Sequence, residues 1–426
     1  MRQKLISFFE NKRVRILGFG REGRASYEFL CRYVPSARIT VADEKPCTLD
    51  GKPLTCGTLF GDGYLGGMEG EDIILKAPGV VLPFDLPDTI RQKITSETDL
   101  FLRFRDCRVI GVTGTKGKST TSSLIHHILT FCGGNSRLVG NIGVPVFSCM
   151  DDLTESCTAV YELSCHQLEY VQASPDIGVL LNVYEDHLDH YASFDAYREA
   201  KYNLFRFMRP QDTLIAGLGC ENIDYDRIRA QNFRKIFIDP EKSPEIPSHL
   251  LGRHNRFNIE AAMTAAALCG CGWDDMVDAV SCFHGLPHRL EFVATINGVT
   301  YYNDSISTIP EATERAVEAL GNVQTVLIGG LDRGIDYDGL ADFLASGRVA
   351  HVIFMYESGR RVQALTEQRS PKAALYYEKD LKSAVALAKK ITSSGSVLLS
   401  PAAASYGDFK NFEERGERFR EEVKEG

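Results

Sequence analysis

The chain has 426 residues, and its 48 lysines and arginines stand against 57 aspartates and glutamates, which gives a formal net charge of −9. A charge of this sign repels polyanions, so nucleic-acid binding through the overall charge is excluded, and only a local basic site stays open. The hydrophobic share of 44% and the charged share of 25% are those of a globular protein, and the length predicts about two to four domains.

Neither a signal sequence nor a membrane span is predicted, because no apolar run near the start is long enough for either. The 12 cysteines are scattered along the chain without a Cys-x-x-Cys pair. This usage predicts reduced thiols in a cytoplasmic protein.

Short apolar strands alternate with helical segments, which predicts an α/β fold. Strands are predicted, in chain order, at 14–18, 38–42, 72–77, 108–113, 159–162, 177–182, 299–303, 325–329, 352–355 and 396–400. The stretch 57–70 is predicted to be a loop, 255–268 an alanine-rich helix, and 412–426 a solvated helix. Joins near 97–107 and 283–290 predict domains at 1–97, 98–285 and 286–426.

A glycine-rich turn, Gly18-Phe-Gly20-Arg-Glu-Gly23, follows the first predicted strand, and Asp43 lies 20 residues beyond Gly23 at the end of the second. Such glycines let backbone amides approach a pyrophosphate at a helix N-terminus, and the acidic residue can bond a ribose hydroxyl. The pattern favours a nucleotide or diphosphate ligand, including the nicotinamide cofactor of a dehydrogenase, over a tight turn with no ligand.

A second glycine-rich segment, Thr113-Gly-Thr-Lys-Gly-Lys-Ser-Thr120, follows the strand at 108–113. Valine stands at position 112, where the strict phosphate-loop pattern has glycine. The backbone N–H groups can still cradle phosphate, Lys118 supplies a point charge, and Ser119 can ligate Mg²⁺. The segment therefore predicts a phosphate loop for ATP.

The phosphate loop resembles that of the Mur ligases, the ATP-dependent amide-bond ligases of peptidoglycan precursor synthesis. Further segments that resemble this family follow in chain order: Gly140-Asn-Ile-Gly143, Glu162-Leu-Ser-Cys-His-Gln-Leu-Glu169, Asn182-Val-Tyr-Glu-Asp-His-Leu-Asp189, Arg198-Glu-Ala-Lys201, His254-Asn255-x-x-Asn258, Leu286-Pro-His-Arg289 and Asn303-Asp-Ser305. The resemblance implies a Rossmann-like N-terminal domain, a central P-loop ATPase-type domain with a parallel or mixed sheet, and a Rossmann-like C-terminal domain.

Two further segments, the glycine-rich turn at 18–23 and the C-terminal segment 399–416 with Ser405 and Phe412, are similar to those of family members that join glutamate to UDP-N-acetylmuramoyl-L-alanine. The resemblance implies that the 1–97 domain binds the UDP precursor, 98–285 binds ATP, and 286–426 binds the incoming amino acid. It also implies ATP, two Mg²⁺ or Mn²⁺ ions and a carbamylated Lys201 in the reaction. A cytoplasmic monomer without nucleic-acid or membrane partners is expected.

Carried over position by position, the resemblance implies five groups of site residues. The catalytic residues are Lys118, His187 and Lys201, and the metal ligands are Ser119, Glu162, His187 and the Lys201 carbamate. ATP is bound by Gly114, Thr115, Lys116, Gly117, Lys118, Ser119, Thr120, Asn255, Asn258, Arg289 and Asp304. The UDP precursor is bound by Gly18, Gly20, Arg21, Glu22, Asp43, Glu44, Gly79, Asn141, Ser164 and Gln167, and glutamate by Thr308, Arg333, Ser405 and Phe412.

The sequence departs from the family pattern at the ends that select substrates. Ile306 stands where a lysine is usual, Arg333 stands at a lysine position, and Arg21 and Glu22 replace an apolar residue and a threonine that meet uracil. Addition of D-glutamate is the first hypothesis. Addition of L-glutamate is the alternative, because Ile306 removes a positive charge and arginine is not equivalent to lysine. More distant alternatives are a folylpolyglutamate-type ligase, a nicotinamide dehydrogenase and a non-catalytic binding module.

Overall fold

The computed structural model describes residues 1–83, 85–188, 190–250 and 252–425, so Asp189 of the family-like segment lies outside the described residues. The chain packs into two compact units. The first contains residues 1–247 and 253–281, and the second contains 248–252 and 282–426.

The first sheet of the first unit has five strands in the order β3-β2-β1-β4-β5, all parallel. The strands are β1 Arg13–Leu17, β2 Arg38–Asp43, β3 Gly57–Phe60, β4 Ile73–Lys76 and β5 Ile94–Thr95. The helices are α1 Arg2–Phe9, α2 Arg21–Tyr33, α3 Asp88–Arg91 and α4 Glu97–Phe104, with a 3₁₀ turn at Met68–Gly70. The strand order reverses beside β1, and this is where α/β sheets place their ligands.

The prediction of a loop over 57–70 is wrong at its start, because β3 occupies Gly57–Phe60. This strand pairs with β2 at the edge of the sheet and is largely exposed. An exposed edge strand has no buried face, so its sequence carries little of the apolar pattern that marks other strands.

The second sheet of the same unit has six parallel strands in the order β11-β10-β9-β6-β8-β7. The strands are β6 Arg108–Thr113, β7 Ser136–Gly140, β8 Thr158–Glu162, β9 Ile177–Leu180, β10 Thr213–Gly217 and β11 Arg234–Ile238. The helices are α5 Lys118–Phe131, α6 Cys165–Leu168, α7 Phe194–Arg206, α8 Tyr225–Arg229, α9 Arg253–Ala267 and α10 Trp273–Ser281, with a 3₁₀ turn at Val146–Cys149. Strand β6 lies at the centre, so the phosphate loop that follows it emerges between the ends of β8 and β9.

The second unit holds one six-stranded sheet in the order β12-β13-β17-β14-β15-β16, in which only the β12–β13 pair is antiparallel. The strands are β12 Glu291–Ile296, β13 Val299–Asn303, β14 Val323–Ile328, β15 His351–Met355, β16 Ala374–Glu378 and β17 Ser396–Leu399. The helices are α11 Pro310–Leu320, α12 Asp338–Ala345, α13 Tyr356–Glu367, α14 Leu381–Ile391 and α15 Phe412–Lys424.

The predicted α/β class and the predicted strands are confirmed, with ends that shift by one or two residues. The alanine-rich helix is also confirmed, at Arg253–Ala267. Among the described residues, no helix is both long and apolar enough to cross a membrane.

The terminal helix α15 is more than a solvated helix, because one of its faces is buried. Its Arg415 is completely buried and donates to the Ser305 hydroxyl at 3.0 Å, the Ser305 carbonyl at 2.8 Å and the Ala403 carbonyl at 3.0 Å. Burial lowers the pKa of Arg415 to about 10, still well above neutral pH. This one side chain therefore ties α15 to the segments that follow β13 and β17.

Arg415→Met should remove these donors and leave two buried carbonyl groups without partners, so the free energy of unfolding should fall by about 3 kcal/mol. Arg418→Met on the same helix is the matched control. Arg418, which is half exposed, pairs with Glu421 and with Glu422, each at 3.1 Å, and its loss should cost about 1 kcal/mol. Urea unfolding followed by circular dichroism compares the two, and equal stabilities would contradict the role of Arg415.

Candidate active site

A cavity of about 380 Å³ opens beside the glycine-rich turn after β1. Nine of the ten residues predicted to bind the UDP precursor line it, and only Ser164 does not. The lining also includes seven residues outside the predicted set: Phe19, Tyr64, Ala77, Pro78, Val80, Gly140 and Pro145. Phe19 and Gly140 lie within segments that the sequence marks, whereas no local pattern marks Tyr64, Val80 and Pro145, because they approach the cavity only in the folded chain.

Two of the three glycines of the turn are required by the fold, Gly23 for space and Gly18 for its backbone conformation. A Cβ at Gly23 would lie 2.0 Å from the Gly18 carbonyl oxygen, and Gly18 has a left-handed φ of 85°. The Asp43 carboxylate accepts from the Phe19 amide at 2.7 Å and from the Lys45 amide at 3.0 Å. Asp43 therefore holds the turn itself in place, a task that the ribose-binding prediction did not include.

Two hydrogen bonds join this cavity to the end of β8. Gln167 donates from Nε2 to Glu22 at 2.6 Å, and Asn141 donates to Glu162 at 2.7 Å. Ser164 is the N-cap of α6 and forms a capping box with Gln167, which explains how Ser164 acts without lining the cavity.

The phosphate loop forms between β6 and α5, as predicted. Lys118 donates to the Gly114 carbonyl at 2.9 Å and to the Thr115 carbonyl at 3.1 Å. The buried Lys201 on α7 donates to the same Gly114 oxygen at 2.9 Å. Burial, reinforced by the charge of Lys118, lowers the pKa of Lys201 to about 7, and burial also lowers the pKa of Lys118.

Two residues outside the predicted set hold the loop in shape. The Asn182 side chain accepts from the Lys116 amide at 2.9 Å and donates to the Lys116 carbonyl at 3.0 Å. The Tyr197 hydroxyl lies 2.8 Å from the Thr115 hydroxyl. Asn182 is the first residue of one of the family-like segments, so the family resemblance could have identified it as a residue of the site.

Asn258, which with Asn255 is predicted to bind ATP, lies against the phosphate loop. Asn258 donates to Asn255 at 2.9 Å, and a Cβ at Gly117 would lie 2.6 Å from the Asn258 side-chain oxygen. The N-terminal parts of α5 and α9 therefore converge, with Ser119 and Thr120 in the first turn of α5.

The predicted metal ligands lie on this edge of the sheet. Glu162 is fully buried, and its Oε2 has no hydrogen-bond partner within the described ranges, so it is available to a cation. His187 follows β9 with a left-handed φ of 55°, and its ring packs edge-on against His166 with centroids 4.9 Å apart. In the part of the chain that the structure describes, no three His, Cys, Asp or Glu side chains form a ready metal cluster.

In the second unit, Asp304 is the buried centre of a polar network. Its carboxyl group accepts from Ser307 at 2.5 Å, from Ser400 at 2.8 Å and from the Leu290 amide at 3.2 Å. Burial raises the pKa of Asp304 to about 6, against the effect of these bonds and of Arg289. Arg289 itself is exposed.

The residues predicted to bind glutamate follow strand ends in the same sheet. Thr308 lies beyond β13, Arg333 beyond β14, and Ser405 and Phe412 beyond β17. The Leu331 amide donates to the Ala404 carbonyl at 2.9 Å, and the Ser305 hydroxyl donates to the Phe412 carbonyl at 2.8 Å. Because β13, β17 and β14 are neighbours, these segments share the carboxyl edge of the sheet.

Comparison with known proteins places the chain in a family. Residues 112–236 match the Mur ligase middle domain, and residues 288–403 match the Mur ligase glutamate ligase domain. The UDP-N-acetylmuramoylalanine–D-glutamate ligase of Acetivibrio thermocellus is 32% identical over 99% of both chains. The chain belongs to the Mur ligase family. It is an ATP-dependent ligase of peptidoglycan precursor synthesis, and the nicotinamide dehydrogenase alternative loses its support.

Other relatives differ in the amino acid that their names give. The Geotalea uraniireducens relative, 34% identical over 97% of both chains, is also a UDP-N-acetylmuramoylalanine–D-glutamate ligase. The Salinispora tropica relative, 33% identical over 99% of both chains, is a UDP-N-acetylmuramoyl-L-alanine–L-glutamate ligase.

Solved structures confirm the fold class. The UDP-N-acetylmuramate–alanine ligase of Thermotoga maritima has a TM-score of 0.57 and 16% identity, over 96% of this chain and 98% of that one. The MurF ligase of Thermotoga maritima, solved with ADP, has a TM-score of 0.53 and 15% identity, over 98% and 95%. At such identities the likeness concerns the fold alone.

Gly117→Ala should damage the nucleotide site, because the new methyl group would meet Asn258 and because φ at Gly117 is 89°. Gly133→Ala, near the other end of α5, is the control: φ is 78° there, but no atom lies within 4 Å of the added Cβ. Both variants carry the left-handed strain of about 1 kcal/mol. Only Gly117→Ala should weaken ATP binding, by about tenfold or more in calorimetric titration. Equal affinities would contradict the packing of Asn258 on the loop.

Proposed function

We propose that this ligase adds D-glutamate to UDP-N-acetylmuramoyl-L-alanine, in the cytoplasm and as a monomer. The observation that carries the proposal is the convergence of Lys118 and Lys201 on the Gly114 carbonyl, beside the unpartnered oxygen of Glu162. Such a site suits transfer of a phosphoryl group from ATP to a carboxylate, since that transfer needs positioning and charge neutralisation. The full-length relatives named as D-glutamate ligases support the choice of amino acid.

A carboxylate needs activation before it can form an amide, because its oxygen is a poor leaving group. Transfer of the γ-phosphoryl group to the precursor's terminal carboxylate gives an acyl phosphate and ADP. The amine of glutamate then attacks the carbonyl carbon, and the tetrahedral intermediate collapses with loss of phosphate. Lys118 and the amides at the start of α5 stabilise the negative charge on the transferred group.

The residues on this edge fit the two Mg²⁺ or Mn²⁺ ions that the family resemblance implies. Ser119 and the free oxygen of Glu162 would serve one ion, and His187 with a carbamate on Lys201 would serve the other. A bound divalent ion neutralises phosphate charge and orients the oxygens of the transferred group. A buried amine whose pKa is about 7 is largely unprotonated above neutral pH, and only an unprotonated amine can add CO₂.

We assign one substrate to each domain: domain 1–97 binds the UDP precursor, domain 98–285 binds ATP, and domain 286–426 binds glutamate. Arg289 and Asp304 would contact ATP. Arg333, Thr308, Ser405 and Phe412 would bind glutamate, with the Arg333 guanidinium on a carboxylate.

The L-glutamate ligase is the second candidate. The Salinispora tropica relative favours it, and so does Ile306, which cannot pair with an anion where a lysine is usual. The chain therefore resembles named enzymes of both specificities at nearly equal identity.

An assay for ADP tests the proposal directly. With ATP and Mg²⁺, ADP release should require both UDP-N-acetylmuramoyl-L-alanine and D-glutamate, and L-glutamate should support a rate at least about 100-fold lower. Lys118→Ala should lower the rate by about 1000-fold, since it removes a charge aimed at the transferred phosphate. A faster rate with L-glutamate would transfer the assignment to the second candidate, and no release with either enantiomer would refute the proposal.

The carbamate on Lys201 predicts a dependence on dissolved CO₂. Enzyme held in CO₂-free buffer should lose most of its activity, and added bicarbonate should restore it. Since the pKa of Lys201 is lowered to about 7, the free amine prevails at pH 8, and at the same concentration of dissolved CO₂ recovery should be about five to ten times faster there than at pH 6. Lys201→Arg should show no bicarbonate response, and full activity in that variant would contradict the ligand role.

A further inference from the structure

Glu22 is a carboxyl group in an unusual place. It is the second residue of α2, at the N-terminal end of that helix, and it lines the cavity proposed for the UDP precursor. A carboxylate beside a diphosphate would repel it, because both groups are anions. Glu22 must therefore either be neutral when the precursor is bound or weaken its binding.

The hydrogen bonds around Glu22 show where a proton would reside. The Gln167 Oε1 accepts from the Ser164 amide at 2.9 Å, so the amide group of Gln167 has to present Nε2 to Glu22. Glu22 Oε1 is consequently an acceptor. Its Oε2 is buried and has no hydrogen-bond partner within the described residues, so no donor there stabilises a negative charge on this oxygen, and a proton is favoured on it.

Two buried titratable groups lie close to Glu22, and burial shifts both toward their neutral forms. Glu97, at the first position of α4, is almost fully buried and receives bonds from the Phe147 amide at 3.0 Å and the Ser26 hydroxyl at 3.4 Å. Burial, with the charge of Glu22 as the second cause, raises the pKa of Glu97 well above its usual value. Tyr161 is buried nearby, and its pKa is raised as well.

The cations that face Glu22 are engaged elsewhere. Lys76 pairs with Glu169 at 3.0 Å, and Arg21 donates to the Gly143 carbonyl. Burial raises the pKa of Glu22 to about 7, while the Gln167 hydrogen bond, Lys76 and Arg21 lower it only in part. In the free protein, Glu22 is thus close to half protonated at neutral pH.

We propose that Glu22 binds the precursor as a neutral carboxylic acid, so that the protein takes up a proton at this residue when the precursor binds. The inference rests on the proposed function, because it takes the UDP precursor to be the ligand of this cavity. A diphosphate diester carries two negative charges that do not titrate near pH 7. Its arrival in the cavity that Glu22 lines can only favour the protonated form, and the proton comes from the buffer.

The sign of the pH dependence follows. Below pH 7 Glu22 is already protonated, and precursor affinity is independent of pH. Above pH 7 the free protein has lost this proton and must recover it on binding, so affinity falls as pH rises. Between pH 6.5 and 8.5 the precursor Kd should increase by about 20-fold.

Calorimetric titration of the full chain with UDP-N-acetylmuramoyl-L-alanine measures the proton directly. At pH 7.5, in three buffers of different ionisation enthalpy, the apparent binding enthalpies should show uptake of about 0.7 proton per precursor. Glu22→Gln reproduces the neutral acid, with one accepting oxygen and one donor. It should take up almost no proton, and its Kd should be the same at pH 6.5 and pH 8.5.

Glu28→Gln is the matched control, because Glu28 is exposed on the same helix and outside the cavity. It should behave as the natural protein does. Precursor binding without proton uptake in the natural chain would overturn this inference alone, whether or not the variants fold. Uptake that persists in Glu22→Gln would also overturn it. Absence of any precursor binding would overturn the proposed function, and the inference with it.

Discussion

The ammonium groups of Lys118 and Lys201 donate to one oxygen, the carbonyl of Gly114, and the rest of the site depends on this contact. Two like charges that share a buried acceptor repel each other, and burial penalises both. The pKa of Lys201 falls to about 7 as a result, while the pKa of Lys118 is lowered less. Two lysines that share one acceptor thus differ in character: Lys118 is a cation suited to phosphate, and Lys201 is a nearly neutral amine.

The phosphate loop and the precursor cavity share the end of β8. Asn141 lines the cavity and donates to Glu162, which is the last residue of β8. Gln167 lines the cavity and completes the capping box with Ser164, two residues beyond Glu162. A substrate carboxylate that is to receive a phosphoryl group has to lie close to ATP, and this short segment brings the two binding regions of the first unit together.

A protein with a net charge of −9 has to bind ATP, a UDP precursor and an amino acid that are all anions. In the proposed function it does so with local devices: helix N-termini, a few cations, and a carboxyl group at Glu22 that can carry a proton. Each device works within a few ångströms, where a single charge or dipole outweighs the diffuse field of the whole molecule. The overall charge therefore says little about the ligands of such sites.

Much of the fold followed from local pattern. The strands around the glycine turn and the phosphate loop are buried on both faces, so their apolar runs are clear, whereas the exposed β3 carries little such signal. Contacts between segments that are far apart in the chain were harder to predict. Asn182 bonds across the phosphate loop from a separate segment, and Arg415 looked like one more surface cation of a charged helix until packing buried it.

By itself, the amino-acid sequence determined the α/β class, the phosphate loop and the ordered set of segments typical of the Mur ligases. These are properties of residues that are close in the chain, where spacing and hydrophobicity carry the information. Only the tertiary structure decided the protonation of Lys201 and Glu22, the free oxygen of Glu162 and the sharing of Gly114. Those properties arise from desolvation and from charges that approach across segments far apart in the chain, and no local pattern records either.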